Sequence, residues 1–125
     1  MLPVFIPGAP PPAGHYSPAV VHGGLVFVSG QLPTVPGQAE HVVGSIEEQT
    51  ERCLRNVERV LQAAGSSLNQ VLQMTVYISD GDLWGRVNAT YAQIMGTHKP
   101  ARAVVPVKDL HYGYQIEIQA IAALP

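Results

Sequence analysis

Apolar and polar positions follow two different periods along the chain, and the switches between them mark its elements. Residues Leu2 to Gly14 follow neither period. Prolines at positions 3, 7, 10, 11 and 12 keep out a helix or a central strand, so the reading is an extended lead-in. Two β-rich runs follow, Ser17 to His22 and Leu25 to Gln31. The Gly23-Gly24 pair between them supplies the positive-φ positions of a two-residue hairpin turn. Residues Pro33 to Gly44, rich in Pro, Gly and His, read as a surface loop.

At Ser45 the period changes to that of a helix. Ser45 and Glu48 match the S-x-x-E capping box, and Ile46, Cys53, Leu54, Val57, Val60, Leu61 and Ala64 form one apolar stripe that Gly65 ends. Glu47, Glu51, Arg52, Arg55, Glu58 and Arg59 fall on the face assigned to solvent, and Cys53 falls on the packed one. Val71 to Ser79 returns to strict alternation, a half-buried strand. Asp80 or Asp82 can then cap a second helix with apolar residues at Leu83, Trp84, Val87, Tyr91, Ile94 and Met95. Gly96 and Pro100 stop it, and Pro100 holds Lys99 extended. Strands from Arg102 to Val107, with Pro106 marking an edge or bulge, and from Tyr114 to Ala123 complete the chain.

The order β-β-α-β-α-β-β predicts an α+β fold in which two helices cover one face of a mixed sheet. The other face needs a cover too. Hydrophobic residues make up 46% of the chain and charged residues 13%, which is apolar for a small monomer, so sheets of neighbouring copies are expected to pack together in a closed homo-oligomer. At 125 residues the expectation is one domain, residues 1–125. A net charge of −2 gives no electrostatic footprint for nucleic acid or an anionic membrane. The single cysteine excludes an intrachain disulfide and fits a reducing compartment. The start MLPVFIPGAPPP lacks the basic and continuous apolar regions of a signal peptide, so a cytoplasmic chain is the expectation.

Chemistry concentrates where strands begin and end. Arg102 opens a strand of small and β-branched residues, and a guanidinium there needs a partner. Two readings stand: a structural ion pair with Glu117, or a grip on a ligand carboxylate through the planar fork. Glu117 sits between isoleucines in the last strand, an unusual core residue unless paired or chemically used. With Tyr16, Ser29, Gly30 and Asn88, these residues could serve hydrolysis of a small anionic substrate. His15, His22, His41, His98 and His111 show no metal-ligand spacing, and no phosphate-loop, dinucleotide or nucleophile-elbow motif is present.

Six blocks carry a resemblance to a known family: G-H-Y-S-P-A at Gly14 to Ala19, V-S-G-Q at Val28 to Gln31, N-V-x-x-V-L-x-A-A-G at Asn56 to Gly65, V-N-A-T-Y at Val87 to Tyr91, P-A-R at Pro100 to Arg102, and I-E-I-Q-A-I-A at Ile116 to Ala122. The chain resembles the Rid family (YjgF/YER057c/UK114), the reactive intermediate imine deaminases. The resemblance implies a chorismate-mutase-like α+β fold of the bacillary type, with a homotrimer whose sheets form an inner barrel and whose sites lie in clefts between subunits. It implies hydrolysis of 2-imino or enamine acids, such as 2-aminoacrylate, to 2-oxo acids and ammonia, without metal or organic cofactor. Arg102 would hold the substrate carboxylate and Glu117 would position or activate water. Tyr16, Ser29, Gly30 and Asn88 would line the pocket. RNA cleavage or translation inhibition is also attributed to the family, and a third reading is a trimer that binds a metabolite without turning it over. Two departures bear on the pocket. Where many members carry a cysteine two residues after the arginine, this chain has Val104, which can contribute its backbone but no thiol. The segment KDLHYGY, residues 108–114, differs from the commonest version and brings in Tyr112 and Tyr114, which leaves the substrate range open.

Overall fold

The computed structural model describes residues 1–125. Its strands are β1 (Leu2–Val4), β2 (Ala19–His22), β3 (Leu25–Gln31), β4 (Val71–Ile78), β5 (Ala101–Pro106) and β6 (Ile116–Ala123), with helices α1 (Ile46–Ala63) and α2 (Trp84–Met95). They form one six-stranded sheet in the order β1-β2-β3-β6-β4-β5. All neighbours are antiparallel except β4 and β5, which α2 connects as the crossover a parallel pair requires. From β2 onward the elements follow the predicted order. The lead-in differs: Leu2–Val4 pairs with β2, so the order gains a strand at the sheet edge, where Pro3 is tolerated because no further strand needs its missing N–H.

Local chemistry explains the boundaries. Gly23 and Gly24, at φ 59° and 77°, make the tight turn of the β2–β3 hairpin. The capping box of α1 is complete, with the Glu48 N–H donating to Ser45 Oγ and the Ser45 N–H donating to Glu48 Oε1. Asp80 caps a single 3₁₀ turn, Gly81–Leu83, that leads into α2.

The helices cover one face of the sheet. Val26 and Val28 of β3, Met74, Val76 and Ile78 of β4, and Ile116 and Ile118 of β6 point to them, and Leu54, Val57 and Leu61 of α1 meet these residues in the core. The opposite face is open. Phe27, Thr75, Tyr77, Glu117, Gln119 and Ile121 alternate with the core positions and remain half-buried or exposed. Neither helix is long and apolar enough to cross a membrane.

The loop from Pro33 to Gly44 is tied to α1 by two side chains. Arg52, assigned by periodicity to the solvated face, instead donates to the carbonyls of Pro33, Val42 and Val43. Asn56 donates to the carbonyls of Leu32 and Thr34. A helical stripe marks which side faces the sheet, but not that a loop will fold over its flank.

Candidate functional site

The singled-out residues fall into two groups on opposite faces of the sheet. Arg102 is in register with Met74 on the edge strand β5, so its side chain lies on the helix face. Glu117 is in register with Tyr77 on the open face. The ion pair between them is therefore not formed. The only salt bridges are Arg55 with Glu58 and Arg86 with Glu47. Alternation along a strand decides this outcome, because one residue of register separates the faces.

Arg102 is half-buried. Its guanidinium donates one 3.0 Å hydrogen bond to Asn88 Oδ1 on α2 and rests over the ring of Tyr91, 4.8 Å from the centroid, with Trp84 at 5.9 Å. One neutral acceptor and aromatic faces leave most of its five donors unassigned. The surrounding concavity, about 450 Å³, is lined by Asn88, Tyr91, Met95, His98, Lys99 and Arg102 among others, and by no carboxylate. It holds two cations and no counter-charge, a seat suited to an anion. Burial raises the Tyr91 pKa against the pull of Arg102, so its hydroxyl is neutral, and the hydroxyl oxygen has no partner. Val104 lies two residues along the same strand, in register with Val76.

Glu117 lies in a second concavity, of about 530 Å³, with Tyr16, Ser29, Gly30, His111 and Tyr112. A side chain at position 30 would collide with the Glu117 carboxylate, so glycine is what lets that carboxylate reach over β3. The β3–β6 register shifts between Val28 and Gln31, placing Ser29 and Gly30 in a bulge. Ser29 Oγ donates to the Ser17 carbonyl at 2.7 Å, so its proton is already committed and its oxygen is left with acceptor capacity only. Tyr16 is exposed at the rim. Tyr16, Ser29, Gly30 and Glu117 are thus brought together, and Asn88 joins Arg102; the two sets do not meet within one chain.

Cys53 is fully buried, and burial, reinforced by the charge of Glu117, pushes its thiol well above the ordinary range, as befits a core residue. A larger groove, about 580 Å³, runs between the 33–44 loop and α1, but there Arg52 is spent on backbone carbonyls, Arg55 is paired with Glu58, and Glu48 and Glu51 add negative charge to the lining. Two residues near the site escaped sequence reasoning. Tyr112 appeared only as a departure from a pattern, and its unusual backbone was not legible. Gln49, fully buried at the start of α1, bonds Gln115 just before β6. A polar residue inside an otherwise apolar stripe was its one signal.

The family model described as Endoribonuclease L-PSP matches residues 7–124. RutC family protein PH0854 of Pyrococcus horikoshii is 43% identical over 119 residues, covering 95% of this chain and 94% of that protein. The YjgF gene product of Escherichia coli has a crystal structure that matches with a TM-score of 0.89 at 32% identity, covering 98% of each chain. The crystal structure of E. coli TdcF with bound serine matches with a TM-score of 0.89 at 32% identity, covering 100% of each chain.

Proposed function

The chain belongs to the Rid (YjgF/RutC, endoribonuclease L-PSP) family, and from that premise we propose that it hydrolyses reactive 2-imino and enamine acids to 2-oxo acids and ammonia. One observation carries the reading. Arg102 is held in place by Asn88 and Tyr91, in a concavity without a carboxylate, so its charge is poised but uncompensated. A guanidinium so placed can take a substrate carboxylate through two parallel hydrogen bonds. That a relative was crystallised with serine, an α-amino carboxylate of similar size, agrees with such a seat.

The two half-sites are complementary. One has cations and no acid; the other has Glu117 and no lysine or arginine. Since a single chain keeps them on opposite faces, a complete site takes Arg102 from one copy and Glu117 from another, and the open sheet face gives the copies a surface to share. A homotrimer with three such clefts satisfies both requirements by closed symmetry.

In this site Arg102 fixes the carboxylate and Glu117 directs water at C2. As water adds, Glu117 takes its proton and returns it to nitrogen. Glu117 then carries the hydroxyl proton of the resulting carbinolamine to its amino nitrogen, so that the C=O bond forms as the C–N bond breaks and ammonia leaves. An enamine first takes a proton at C3 and releases one from nitrogen, which makes it the imine. The test is pyruvate release while a pyridoxal-phosphate dehydratase acts on serine. The purified protein should speed it and Arg102→Ala should not; equal rates with both proteins defeat the proposal. Concentration-dependent mass by sedimentation tests the trimer. The nuclease reading finds no support in charge: the net value is −2, and the arginines of α1 are interleaved with glutamates.

A further inference from the structure

Tyr112 is the one non-glycine residue with a positive φ, at φ 62° and ψ 20°. L side chains adopt this region at a cost, so something must hold it there. Two rings do. His41, from the 33–44 loop, stacks on Tyr112 with centroids 3.8 Å apart and planes 8° from parallel. The buried Tyr114 meets Tyr112 edge-on at 6.2 Å and 84°. Neither His41 nor Tyr114 lines the Glu117 concavity, whereas Tyr112 does, and it remains 54% exposed. The supporting rings stand behind it, and its free surface belongs to the site.

A second exposed ring, Tyr16, lines the same concavity. It packs against Gly14, where a Cβ would lie 3.1 Å from the ring. The remaining lining is small or apolar, with Ala13 and Leu32, apart from Glu117 and its neighbours Ser29 and His111. This half-site repels a carboxylate through Glu117 and offers no cation to hold one. Resting on the deaminase reading, the part of an imino acid that enters it is the reacting carbon and the side chain attached to it.

We infer that Tyr112 is a specificity-determining residue, an aromatic wall that favours 2-imino acids with an aryl side chain over those with a methyl or ethyl group. A short alkyl group leaves two rings wet. An aryl group stacks on them, and one such contact corresponds to about a fivefold preference.

The test uses Tyr112→Gly, which removes the ring while accepting the positive φ, and Tyr112→Phe, which keeps it. Imines are generated in situ by an amino-acid oxidase from phenylalanine and from 2-aminobutanoate, and the ratio of kcat/KM for the two is read. Calorimetric affinities for phenylpyruvate and 2-oxobutanoate give the same ratio without turnover. The expected result is a ratio about fivefold lower in Tyr112→Gly and restored in Tyr112→Phe, in both measurements; a merely structural role would slow both substrates alike. Turnover with an unchanged ratio overturns the inference and leaves the deaminase reading standing. No turnover of either imine by the native chain, with the affinity ratio still falling, sinks the deaminase reading and keeps Tyr112 as a ligand wall. An affinity ratio that does not move overturns the inference whatever the turnover.

Discussion

The carboxylate of Glu117 lies over Gly30 so closely that not even a methyl group fits between them. Gly30 is not held at a positive φ, so the requirement is for space rather than backbone freedom. Gly30→Ala should therefore fold, with a melting temperature within a few degrees of the native chain, while pushing the carboxylate aside. Imine turnover should fall at least tenfold, on the order of 1.4 kcal/mol in barrier height. Undiminished steady-state turnover in Gly30→Ala would take the observed position of Glu117 out of the mechanism.

Arg102→Lys keeps a charge at the other half-site but loses the planar fork and its seat over Tyr91. Calorimetric titration with 2-oxobutanoate should show affinity weakened about tenfold, equivalent to about 1.4 kcal/mol. Arg102→Ala should weaken it further, since hydrogen bonds to charged groups are worth about 1.5–3 kcal/mol. Equal affinity in all three proteins would place the carboxylate elsewhere.

Much of this arrangement was legible from periodicity. The capping box fixed the start of α1, Gly23-Gly24 fixed the hairpin, and alternation fixed β4 and β6 within two residues. What periodicity could not decide was which face a polar strand residue takes relative to residues on another strand. Arg102 and Glu117 looked like partners because each needed one, yet register put them on opposite sides. Tertiary contacts of single side chains were equally hidden. Arg52 carries the polarity of a solvated position and still ends under three carbonyls, and the turn at Tyr112 depends on rings from two separate loops. The candidate residues could be picked out as a set, through motif blocks, but their division between the two faces of the sheet could not.

The helices are joined at the surface by Arg86, whose Nε and Nη2 each donate at 2.7 Å to the carboxylate of Glu47. This bidentate bond holds the Glu47 carboxyl down from 4.5 to about 2. A depressed folded-state pKa stabilises at pH above the unfolded value and loses that contribution as pH falls through the folded one. The stability difference between the native chain and Glu47→Gln should thus be full above about pH 5 and fade between pH 4.5 and pH 2. The pair is exposed, so added salt should shrink the difference at neutral pH. Urea unfolding across this pH range checks both. A difference that stays constant to pH 2 would assign the effect to packing instead.

Gln49 and Tyr91 predict opposite results for removing a buried polar group. The Gln49 amide is fully used: Nε2 donates at 3.1 Å to both the Gly44 carbonyl and Gln115 Oε1, and Oε1 accepts the Gln115 N–H at 2.8 Å. It ties the start of α1 to the residue preceding β6, and so to the strand that carries Glu117. Gln49→Leu keeps the volume but strands these partners, and an unpaired buried group costs about 1–3 kcal/mol. A loss of about 2 kcal/mol, roughly 8 °C in Tm, is expected. The Tyr91 hydroxyl has no partner to strand. Tyr91→Phe removes an unsatisfied donor and keeps the ring beneath Arg102, so its Tm should be equal to or above that of the native chain. Thermal melts of the two variants decide the matter together. If Tyr91→Phe is the more destabilised, its hydroxyl is bonded in solution and the environment of Arg102 is more polar than these contacts describe.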